Sequence, residues 1–97
     1  MKKITFTNNQ KERENMKIDL EIARIAHEAV REFCSKKKLP ELLAWDELPE
    51  DFKENAVSDV KTIKAGNKII GYKEYKKADN DKMVKLFTKT VKAEIGL

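Results

Sequence analysis

Apolar residues recur at three- and four-residue steps through Ile18, Ile22, Ile25, Ala26, Ala29, Val30 and Phe33. That spacing predicts an amphipathic helix from about Met16 to Lys37, with one broad face turned to a core. With Ile18 at zero and about 100° per residue, these side chains centre near 50°, while Arg24, His27 and Arg31 fall near 240°, 180° and 220°. The polar stripe therefore lies almost opposite the expected core, with Glu28 between the two faces. Lys36, Lys37 and Lys38 suit a helix C-terminus, and Pro40 prevents continuation.

A second periodic stretch begins at Pro49, a good first helical residue, with Glu50 and Asp51 in the first turn. Phe52, Ala56, Val60 and Ile63 mark its expected inner face, and Gly66 supplies a stop, giving a helix over about 49–65. A third helix, capped by Asp79 or Asn80 and reaching about Ile95, would bury Met83, Leu86, Phe87, Thr90 and Val91. Its opposite face carries Lys82, Lys85, Lys89 and Lys92.

The remaining segments are less periodic. Residues 1–15 open on the alternating Ile4-Thr5-Phe6-Thr7 and then run polar, which reads as a mobile arm, with an edge strand as the alternative. Glu41 to Trp45 reads as a helical turn or a lid over the bundle end. Asn67 to Tyr75 reads as an ordered loop or an extended piece laid across the helices. The expected fold is all-α: a small antiparallel three-helix domain with short connections over residues 16–97, preceded by the arm.

Composition narrows this picture. Ninety-seven residues support one modest core. Three Gly and two Pro favour long helices over a many-turned sheet. No apolar run is long enough to span a membrane and no signal core is visible, so the expectation is a cytoplasmic protein without membrane attachment. Cys34 is the single cysteine, which excludes an internal disulfide and a multi-thiolate zinc site and reads as a buried structural thiol.

Charge adds a further feature. The net charge is +4, yet residues 61–92 hold ten Lys against Glu74, Asp79 and Asp81, so 10 − 3 gives +7 locally. Such a surface attracts phosphates and nucleic acid, or serves solubility alone.

The equipment for catalysis is sparse. There is one His, one Cys and no Gly-rich phosphate loop. His27-Glu28 is not the zinc motif, because position 31 is Arg and no second His follows. Asp46, Glu47, Glu50 and Asp51 could attract a divalent ion but read first as caps and dipole partners. Neither enzyme activity, nor a metal, nor a cofactor is expected.

The string Ile22-Ala23-Arg24-Ile25-Ala26-His27-Glu28-Ala29-Val30-Arg31, with Phe33-Cys34 and then Trp45-Asp46-Glu47-Leu48-Pro49-Glu50, resembles the small bacterial and phage proteins of the ryanodine-receptor-repeat (RyR domain) family. Their pattern has an arginine, a His-Glu pair, a second arginine, an aromatic-Cys pair and a tryptophan before a proline-started helix. The resemblance covers about residues 18–95 and is specific in its first half. The family's middle block, with its Gly-Trp-X-Tyr-Gly stretch, is missing here.

The resemblance implies non-enzymatic binding or sequestration of a nucleotide-derived small molecule, of the kind used as a signal in phage defence, which would make the chain an anti-defence protein. Arg24, His27 and Arg31 would hold the anionic part, with Glu28 beside them and Trp45 or Tyr72 as stacking surfaces. Residue chemistry alone also allows Arg24 to pair with Glu28, His27 to pack under a loop and Trp45 to plug the core. The alternative function is nucleic-acid binding or protein interaction through the Lys-rich third helix. A homo-oligomer is expected, because one layer of three helices leaves apolar surface uncovered.

Overall fold

The computed structural model describes the backbone of residues 2–96 and the side chains of residues 18–96. Three helices make up the fold: α1 (Lys2–Lys36), α2 (Glu50–Lys64) and α3 (Lys77–Ile95), with a short 3₁₀ turn at Trp45–Glu47. No strand occurs among the described residues.

Helix α1 starts far earlier than the apolar period predicts. Its backbone is already helical at Lys2, so Ile4 to Thr7 lie in helix rather than in a strand. No Gly or Pro interrupts residues 2–36, and Lys, Glu, Arg and Gln through the polar stretch are good helix formers. The C-terminus is a Schellman closure. Lys38 N–H donates to Ser35 O and Leu39 N–H to Cys34 O, at 3.3 and 2.9 Å, with Lys38 at φ +56°. Helix α2 ends in the same way: Gly66 N–H reaches Ile63 O at 2.9 Å and Asn67 N–H reaches Thr62 O at 3.0 Å.

Side-chain ties fix the helix directions. Lys64, at the end of α2, donates to Asp19 at 2.5 Å, while Trp45, just before α2, is bonded to Glu28. Helix α2 is thus antiparallel to α1. Tyr75, just before α3, donates its hydroxyl to Pro40 O, whereas Glu94, near its end, lies beside Ile18, Ile22 and Ile25. Helix α3 is antiparallel to α1 as well, so α2 and α3 run in the same sense. The connection between them must climb back along the bundle, from the level of Asp19 to that of Cys34, about 22 Å on the rise of a helix.

The core consists of Ile22, Ala23, Ala26, Val30 and Cys34 from α1, Trp45, Val60 and Ile63, and Met83, Phe87 and Val91 from α3. On the wheel used above, the buried residues of α1, including Asp19 and His27, centre near 115°. The buried arc is turned about 65° from the expected one. Ile18 is consequently 51% exposed, Ile25 and Ala29 are only half-buried, and Asp19, Ala23 and Cys34 are inside.

Two further expectations are corrected. Phe52 does not mark the inner face of α2, since it is 57% exposed. Neither Asp79 nor Asn80 caps α3, which begins at Lys77 after Lys76 without a side-chain cap. Asn80 instead holds the crossover: its Oδ1 accepts Tyr72 N–H at 2.6 Å and its Nδ2 donates to Ile70 O at 3.1 Å.

Candidate functional site

Rotation of the buried arc changes the meaning of the polar stripe on α1. His27 was expected on the outer face, but it is buried. Its Nε2 lies 2.7 Å from Leu43 O, and a carbonyl can only accept, so Nε2 carries the proton and donates. The imidazole also leans on Trp45, with ring centroids 5.8 Å apart and planes tilted by 59°.

One residue on, Glu28 spans two partners. Its Oε2 accepts Trp45 N–H at 3.0 Å and its Oε1 accepts from Arg31 Nη1 at 2.9 Å. Burial pulls the Glu28 carboxyl upward, but the Trp45 N–H and the Arg31 and His27 charges together outweigh it and hold the pKa below the ordinary value of 4.5. His27 and Glu28 therefore fasten the segment 43–45 to α1. The partners are a backbone carbonyl and a backbone N–H, and no side-chain pattern announces those.

Trp45 is buried, with Val60 and Ile63 in the same core, His27 at its side and Lys53 Nζ 5.9 Å from its ring centroid. Its ring is enclosed by protein. Arg24 lies on the solvent side of the helix and pairs with Glu21 rather than with Glu28, at 2.8 Å. This pair lowers the Glu21 pKa and raises that of Arg24. Arg24 and Arg31 are both about half exposed, at 46% and 45%.

Tyr72 belongs to a different group. It packs edge-on to Tyr75, with centroids 6.2 Å apart, and its neighbours include Asp59 and Cys34. Burial raises the pKa of Tyr72 and pushes Tyr75 up to about 12, and it raises Asp59 and Cys34 too. The Cys34 thiol is thus enclosed and protonated, the opposite of what a nucleophile needs. The structure brings His27, Glu28 and Trp45 together, leaves Arg24 and Arg31 at their solvent margin, and places Tyr72 elsewhere. No group of three or more metal-binding side chains occurs among the described residues.

The outer face of α3 is built differently. Lys82, Lys85, Lys89 and Lys92 are exposed and make no ion pair within 4 Å among the described residues. Steps of three, four and three residues align them over about 15 Å of helix. Asp81 is the acidic residue nearest in sequence. No helix is long and apolar enough to cross a membrane.

These features define a small all-α domain whose α1 polar residues fasten a loop and whose α3 offers a cationic face. Compared with models of protein families, with curated proteins and with solved structures, the chain matches none. The likeness to the ryanodine-receptor repeat rests on the residues quoted above.

Proposed function

We propose that this domain binds the phosphate backbone of nucleic acid through the outer face of α3. The observation that carries the reading is the set of four aligned, exposed lysines at 82, 85, 89 and 92, none ion-paired among the described residues. An ammonium without an internal carboxylate is free to neutralise a phosphate, and release of the cations condensed on the nucleic acid drives association. The stripe has neither Arg nor aromatics interleaved, so it positions a backbone without reading bases. Binding is sequence-independent and weak at physiological salt, with Kd on the order of 10⁻⁴ to 10⁻⁶ M.

Fluorescence anisotropy with a mixed-sequence duplex tests this across a salt series. Four phosphate contacts give a slope of log K against log salt of about −3.6. A flat response, or no binding at low salt, refutes the reading.

A second reading keeps a nucleotide-derived small molecule on the Arg24–Arg31 flank. It is supported by two exposed guanidiniums, each hydrogen-bonded to one glutamate of its own helix and holding further N–H donors. A phosphate would replace Glu21 or Glu28 there. Thermal shift with mono-, di- and cyclic nucleotides separates the two. Stabilisation that Arg31→Ala abolishes and four-lysine neutralisation spares belongs to the flank.

A further inference from the structure

The crossover between α2 and α3 spends ordered structure on showing an isoleucine to water. Ile70 is 76% exposed, the most exposed large apolar side chain among the described residues. The backbone around it is nevertheless pinned. Asn80 bonds both Ile70 O and Tyr72 N–H, and Gly71 takes φ +90° where an added Cβ would overlap Val84 and Asn80. Lys68 and Lys73, both exposed and without ion pairs among the described residues, flank the knob. An apolar side chain on a rigid, positively flanked loop is already organised for a contact.

The complementary shape lies on the same chain. Turning of the α1 arc leaves Ile18 exposed and Ile25 half-buried, and with Ile22 they floor a shallow groove of about 310 Å³ beside the end of α3. Its polar edges are Glu21, whose charge is already met by Arg24, and Glu94, which makes no ion pair among the described residues. An apolar floor with the Glu94 carboxylate at one edge matches an isoleucine flanked by lysines in both polarity and sign of charge. A chain cannot satisfy its own groove. Ile70 is tied to Asn80 and the groove to Glu94, and 94 − 80 = 14 residues of helix place them about 21 Å apart.

We infer that Ile70 of one molecule seats in the Ile18–Ile22–Ile25 groove of a second copy, with Lys68 facing Glu94. Knob and groove are different patches, so the contact is heterologous. It is small, and its Kd lies on the order of 0.1–1 mM. It also weakens with salt, because part of the attraction is between exposed charges.

The test is sedimentation of the full chain up to about 2 mM, with wild type and two exposed-site variants whose helicity is checked by circular dichroism. Wild type should associate, and Ile70→Asp and Ile18→Ser should each weaken association about tenfold or more. A one-to-one mixture of the two variants should recover it, since one supplies an intact groove and the other an intact knob. Glu94→Lys should weaken association, and Lys68→Glu on the partner should restore it. A wild type that stays monomeric throughout overturns the inference. So does association that survives either single variant, or a mixture that fails to recover.

Discussion

Glu28 accepts the backbone N–H of Trp45 at 3.0 Å across seventeen residues of chain. The bond fastens the end of the first connection to α1 just before α2 begins, and it sets the depth at which the indole enters the core. Removing it with Glu28→Ala should cost about 0.5–1.5 kcal/mol, less than a fully buried charged acceptor would, since the carboxylate is 37% exposed to solvent. Thermal denaturation at pH 7 should show a fall in Tm of a few degrees. An unchanged Tm would mean that Trp45 is held by packing alone.

The same carboxylate makes a pH prediction. Its folded pKa lies below 4.5, so the stabilisation is present above about pH 4.5 and is lost as pH falls through the lower folded value. Glu28→Gln should therefore narrow the gap in stability between pH 6 and pH 3. Urea titrations of both proteins at the two pH values measure this.

Asp59 should behave in the opposite way. Burial raises its pKa above the ordinary 3.8, so the folded state prefers the protonated form and the charge costs stability above that window. Asp59→Asn should raise Tm at pH 7 and have no such benefit at pH 3, where both folded and unfolded carboxyls are protonated. A loss of stability at pH 7 would show that Asp59 makes a favourable contact as an anion.

Lys38 occupies the left-handed position of the α1 closure at φ +56°, which a side chain with a Cβ adopts at a cost of about 1 kcal/mol. Lys38→Gly should therefore stabilise the domain by about 0.5–1 kcal/mol, read as a higher urea midpoint with unchanged slope. Gly71→Ala is the converse case. It meets both φ +90° and overlap with Val84 and Asn80, and should destabilise by more than Gly66→Ala, whose Cβ would point into open space.

Neutralising two of the four aligned lysines should change salt dependence rather than fold. Lys85→Gln with Lys89→Gln removes two contacts, so the slope of log K against log salt should shrink by about 1.8 for a duplex of any sequence. Circular dichroism should remain that of wild type, because both side chains are exposed. A slope that does not move would place the nucleic acid on another surface.

The three helices and their stops were legible because they depend on local chemistry. Pro49 with Glu50 and Asp51 marks the start of α2, and Gly66 marks its end, whatever the rest of the chain does. The rotation of α1 was not legible. Its apolar and small residues, from Ile25 through Ile18, Ile22, Ala26 and Val30 to Ala23 and Cys34, cover an arc near half the helix circumference. Two short helices cannot cover all of it.

Tertiary packing decided which half went inside. Contact with α2 and α3 selected Ala23 and Cys34 over Ile18, and allowed Asp19 inside because Lys64 meets it. His27 and Glu28 went with that choice and became the anchors of a loop, through backbone groups that no side-chain pattern encodes. The amino-acid order by itself determined an all-α chain, three helices, the approximate limits of α2 and α3, the end of α1 and a lysine face on the last. The folded structure decided that α2 and α3 run in the same sense and that α1 turns by about 65°. The physical reason is that helix limits are set by residues within one or two turns, whereas the direction a helix faces is set by the area its neighbours can cover.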